Sequence, residues 1–145
     1  MRKLKLFFAC LLMAVLSIGQ MWADATFVSA NEAATSAKNG ILLTVTSGSL
    51  ASGDYYRIDK GATLTISSES GNIESIVFTC TTAAYAKLAS HSPEGTYSED
   101  DTAVSWEGSA SSVTFTAKTG SSNKNFRFSQ VVITTASSGP AQPTV

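Results

Sequence analysis

The chain is poor in the residues that most often carry chemistry: its 145 residues include two cysteines and one histidine. Cys10 lies in an N-terminal apolar run, so beyond that run only Cys80 remains, and a lone cysteine closes no internal disulfide. Stability has to come from packing. Zinc takes three or four His, Cys or carboxylate donors, and His91 with Cys80 falls short of that set. Charged residues are few, 14% of the chain, and after residue 25 seven basic residues face ten acidic ones, a formal charge of −3 with no basic stripe. Nucleic acid and anionic lipid both require clustered Lys and Arg that displace counterions, so neither is an expected partner. After residue 25 no apolar run approaches the roughly 20 residues that a membrane-spanning helix needs. No Asn-x-Ser/Thr acceptor for N-glycosylation occurs.

What is present begins with the form of an export signal. Arg2, Lys3 and Lys5 make a basic head, Leu6 to Gly19 an apolar run, and Ala23-Asp24-Ala25 a small-x-small end that suits signal peptidase. A lipid-attachment reading of Ala9-Cys10 fails on length, because the apolar run continues well past Cys10. These features predict a signal peptide over residues 1–25, cleaved near Ala23 or Ala25, and a protein that works in the periplasm, outside the cell or at its surface. One domain over residues 26–135 then has the size to bury a single core. Residues 136–145, with Ser137-Ser138-Gly139-Pro140 and Pro143, read as a linker toward a further domain.

Ser and Thr make up 38 of the 120 residues from Thr26 onward and alternate with Val, Ile, Leu and Phe, the pattern of half-buried strands. Strands are expected at Ile41–Thr46, Tyr55–Ile58, Ala62–Ser67 and Ile73–Cys80, the last two as a hairpin across Glu69-Ser70-Gly71-Asn72. Ile76, Phe78 and Cys80 fall on one face. Residues 83–88 carry helix formers and predict a short helical segment; Ser90 to Ala103 read as loop. Strands resume at Val104–Trp106, Val113–Ala117 and Phe126–Thr134. In the last, Phe126 and Phe128 are out of phase with Val131 and Ile133, which predicts a β-bulge near Ser129-Gln130. About seven short strands with regular turns predict an all-β fold, a jelly-roll-like antiparallel β-sandwich, with a closed barrel as the alternative.

Three stretches carry a resemblance: Lys60-Gly61-Ala62-Thr63-Leu64-Thr65-Ile66-Ser67-Ser68 with Gly71 to Cys80, Ser105 to Thr116, and Phe126 to Thr134. Over about residues 40–135 the chain resembles a secreted accessory β-sandwich module of multidomain surface proteins from anaerobic gut-type bacteria. Such modules often precede Ig-like or chitobiase-type C-terminal repeats, and Pro140 to Thr144 is similar to the opening of one. The resemblance implies fold and location, and carries no catalytic or binding residues.

Catalytic patterns are thin. His91 is the sole imidazole for a Ser-His-Asp set, and no Gly-x-Ser-x-Gly elbow accompanies it. Glu69, Glu74, Glu94 and Glu107 sit at turns or on polar strand faces, as solvated carboxylates do. The domain is therefore expected to be non-enzymatic. Glu99, Asp100 and Asp101 could offer oxygens to Ca²⁺, although the Asp-x-Asp-x-Asp-Gly spacing is missing; no other cofactor is implied. Asp101-Thr102-Ala103 has the form of an O-glycosylation acceptor.

Carbohydrate is the ligand class that the aromatics permit, since sugar rings stack on flat side chains while polar groups bind their hydroxyls. Trp106, Tyr55, Tyr56 and Tyr97, with Tyr85, form the candidate platform; Glu107, Arg127 and Asn123 supply polar contacts. Trp106 opens a strand and equally suits the sandwich core, and Cys80 reads as a small buried hydrophobe. The expected function is a secreted accessory binding or adhesion module for a glycan or cell-surface polysaccharide. The alternatives are a structural spacer of a larger surface protein and a small secreted hydrolase.

Overall fold

Eleven strands and one 3-10 turn make up the computed structural model, which describes residues 23–34 and 37–136. The expected export signal up to residue 22 and the linker from residue 137 lie outside the described residues. In chain order the strands are β1 (Ala23–Val28), β2 (Ile41–Val45), β3 (Gly48–Ser49), β4 (Tyr56–Ile58), β5 (Thr63–Ser68) and β6 (Ile73–Cys80). After the 3-10 turn at Ala83–Tyr85 come β7 (Leu88–Ser92), β8 (Thr96–Asp100), β9 (Ala103–Ala110), β10 (Ser112–Ala117) and β11 (Phe126–Thr135).

They form two antiparallel sheets. The seven-stranded sheet runs β3-β4-β11-β6-β9-β8, with β1 alongside the second half of β11; the four-stranded sheet runs β2-β5-β10-β7. Alternation along each strand sends one set of side chains inward. Leu64 and Ile66 of β5, Ile76 and Phe78 of β6, and Val113 and Phe115 of β10 are all fully buried. The Phe78 ring touches Phe115 of the other sheet edge-on at 5.2 Å, so the inner faces interdigitate as in a β-sandwich.

β11 carries the expected bulge. Phe128 pairs with Cys80 and Gln130 with Thr79, which leaves Ser129 as the extra residue. The added residue restores the phase: Phe126, Phe128, Val131 and Ile133 all point inward, and the Ser129 hydroxyl donates to the Thr79 carbonyl at 3.3 Å.

Three expectations need correction. β5 and β6 are not a hairpin: β5 pairs with β2 and β10, whereas β6 pairs with β11 and β9. Both present an apolar stripe, and placing them in opposite sheets lets each bury its stripe in the shared core. The segment read as loop holds β7 and β8, which are edge strands of the two sheets. Their sequences, Leu88-Ala89-Ser90-His91-Ser92 and Thr96-Tyr97-Ser98-Glu99-Asp100, are polar because polar edges resist pairing with other chains. The helical segment shrinks to one 3-10 turn, since Leu88 is already buried in β7. β1 begins at Ala23, with Ala25 and Phe27 in the core.

Candidate functional site

On the outer face of the seven-stranded sheet, the inward burial of Tyr56 and Ile58 sends their neighbours Tyr55 and Arg57 outward. Arg57 pairs with Arg127 of β11, which lies between the buried Phe126 and Phe128 and so faces outward too. Tyr55 is thus a diagonal neighbour of Arg127, and its ring lies under the guanidinium, 4.5 Å from the central carbon. A second ring comes from the other side of β11. The Thr81 N–H donates to the Arg127 carbonyl at 3.2 Å and ties the end of β6 to β11; the 3-10 turn that follows carries Tyr85 to 4.2 Å from the same carbon.

Arg127 is therefore held by two tyrosine rings through cation–π contact. Its Nε is buried without an acceptor, and no carboxylate pairs with it among the described residues. Arg57 differs: its Nε binds Asp59 Oδ1 at 2.8 Å. Ser47 also donates to Asp59, and with Arg57 it outweighs partial burial and holds that carboxyl below its usual range. All three aromatic or cationic side chains of the cluster are half-buried, with surface left to solvent.

The chain matches no protein-family model and no curated protein. No described helix is long and apolar enough to cross a membrane.

The structure divides the candidate platform. Tyr55 and Arg127 meet, with Tyr85, but Trp106 and Tyr56 are fully buried and leave it. The Tyr56 hydroxyl donates to the Glu32 carbonyl at 2.7 Å, and burial with the nearby Glu32 charge pushes its pKa up to about 12. Trp106 points inward beside Val104; its indole N–H donates to the Pro93 carbonyl at 3.3 Å. Gly95 and Gly108 close over the ring: a Cβ at Gly108 would stand 2.6 Å from Cζ2, and one at Gly95 2.4 Å from Nε1. Only hydrogen at both positions lets the indole lie flat there. Trp106 is core.

Glu107 faces outward next to Trp106, but on β9 opposite Ser75, two strands from Arg127 and toward the other end of β6. Asn123 donates to the Thr119 carbonyl within its own loop. Tyr97, half-buried, stacks on His91 at 4.8 Å and seals the side of the sandwich where edge strands β7 and β8 meet. His91 Nδ1 lies 3.3 Å from the Pro93 carbonyl, and no described carboxylate contacts the imidazole.

Glu99 and Asp100 are adjacent in β8 and point to opposite faces, while Asp101 occupies the turn with φ 57°. Glu99 accepts the Leu88 N–H at 3.0 Å and the Tyr97 hydroxyl at 2.6 Å. Burial pushes its pKa up, but those bonds and the Lys87 and Lys118 charges outweigh burial and hold it below the usual value. The carboxylate is engaged in joining β8 to the start of β7. Among the described residues no three His, Cys, Asp or Glu side chains converge as a metal site. Cys80 is buried, and desolvation with the Glu99 charge pushes its thiol up to about 12.

Proposed function

We propose that this chain is a secreted, non-enzymatic accessory module that binds carbohydrate on the outer face of its larger sheet. The observation that carries the reading is the Tyr55–Arg127–Tyr85 cluster, where two partly exposed aromatic rings flank a guanidinium that pairs with no described carboxylate. Such a set combines apolar ring surface for sugar C–H groups with donors for hydroxyls. The export-type head and the resemblance to accessory modules of surface proteins support the location. The test is a broad glycan array probed with the full chain, as the cell processes it, and with a Tyr85→Ala version. Specific binding that Tyr85→Ala abolishes is the expected result; silence across the array from a folded protein would sink the reading.

The burial of Trp106 favours a second reading, a structural spacer that holds neighbouring modules away from the cell surface. A spacer uses its largest aromatic for stability, and it gives a silent array.

A further inference from the structure

We infer that the ligand recognised at Tyr55, Arg127 and Tyr85 is an acidic glycan, held through a carboxylate or sulfate group at the Arg127 guanidinium; this rests on the carbohydrate reading above. The guanidinium carbon lies over two tyrosine rings, 4.5 Å and 4.2 Å from their centroids. Nε is buried and unpaired, so the terminal nitrogens form the part of the group that remains for a ligand. A guanidinium edge presents parallel N–H groups, which match two oxygens of a carboxylate or sulfate and suit a single sugar hydroxyl less well.

Charge points the same way. Arg57 and Arg127 are direct cross-strand partners, and like charges in that relation repel. Asp59 neutralises Arg57 and is itself taken up by Ser47, which leaves the Arg127 charge uncompensated on a chain with net negative charge. An anion at Arg127 supplies the missing counter-charge. Cation–π contact also occupies the tyrosine surface turned toward Arg127. A neutral sugar is left with the outer ring surfaces alone, whereas an acidic one keeps that contact and adds an ion pair.

Titration calorimetry of the full chain, as the cell processes it, with trigalacturonate and its neutral counterpart galactotriose tests the inference. Trigalacturonate should bind at least tenfold tighter, and its affinity should fall several-fold when sodium chloride is raised from low to physiological strength. A sulfated galactan trisaccharide without carboxylate separates the two anions, and preference for either acidic probe over galactotriose supports the inference. Arg127→Lys keeps the charge but loses the planar fork and should weaken acidic-glycan binding at least fivefold at unchanged melting temperature. Tyr85→Ala, on the turn outside both sheets, gives the same answer should Arg127→Lys fail to fold. Equal affinity for acidic and neutral probes overturns the acidic assignment and leaves the carbohydrate reading standing. Absence of binding to every probe and to the array overturns both. Acidic binding that survives both substitutions overturns the site.

Discussion

Phe78 on β6 meets Phe115 on β10 edge-on, with ring centroids 5.2 Å apart and planes at 85°, and this contact joins one sheet to the other. Phe78 also meets Phe126 at 5.1 Å and Phe128 at 4.9 Å, so one side chain fastens three elements. Phe78→Ala should destabilise by about 3–5 kcal/mol, the usual cost of removing a buried ring. Against a typical total of about 5–15 kcal/mol, that leaves a marginal fold. Urea unfolding followed by circular dichroism checks it; a loss under about 1 kcal/mol would show that the sheets are held elsewhere.

Trp106 gives a second, optical test. A fully buried indole emits at short wavelength and resists quenching by acrylamide, and a Trp22→Phe background isolates its signal. Gly108→Ala places a methyl 2.6 Å from the ring edge, so the indole must shift or strain. The expected cost is about 1–3 kcal/mol, as for other overpacked cores, with increased acrylamide access. An unchanged midpoint would mean that the ring has room to move.

Acid sensitivity should reside partly in Glu99. Burial pushes its folded pKa up, but the Leu88 N–H, the Tyr97 hydroxyl and the Lys87 and Lys118 charges outweigh burial and hold it below the usual range of a glutamate carboxyl. A lowered folded pKa contributes stability that is fully present above the unfolded value and is lost as pH falls through the folded one. Tyr97→Phe removes one donor and raises that folded pKa toward the unfolded value. The variant should therefore lose about 1 kcal/mol near neutral pH, with the difference from the parent shrinking below about pH 4. Thermal melts from pH 3 to pH 7 measure it, and a difference independent of pH would contradict the coupling.

Much of the sandwich was legible because its strands alternate cleanly. Leu64-Thr65-Ile66 and Val113-Thr114-Phe115 each name their buried face, and even the bulge at Ser129 shows as a phase slip. Edge strands β7 and β8 were illegible for a physical reason: an edge needs few apolar side chains, so Leu88 and Tyr97 are diluted by Ser, His, Glu and Asp. Sheet membership was hidden too, since the stripe of β5 would read the same in a hairpin with β6 or across from it. At the candidate site, the sequence marked Tyr55, Tyr85 and Arg127 as usable chemistry. Their meeting depends on the β4–β11 register and on the Thr81–Arg127 bond, neither of which local pattern encodes.

The first residues of β1 should contribute measurably to stability. Ala25 is buried and opposite Ile133, while Ala23 and Asp24 pair with Thr135 and Thr134. The Asp24 carbonyl accepts the Asn39 amide, and the Thr26 carbonyl accepts Lys38 Nζ at 2.7 Å. A chain beginning at Thr26 loses those outer rungs and brings its new ammonium into the neighbourhood of Lys38, whose Nζ binds the Thr26 carbonyl at 2.7 Å and Glu32 at 2.6 Å. A chain beginning at Asp24 keeps the inward Ala25 and the Asn39 bond. The Thr26 form should be less stable by about 1–2 kcal/mol, the scale of one or two net hydrogen bonds. Part of that gap should close above about pH 8, where an α-amino group loses its charge. Melts of the two trimmed chains at pH 7 and pH 9 measure both effects. Equal stability of the two forms would show that the rungs before Thr26 add nothing to the fold.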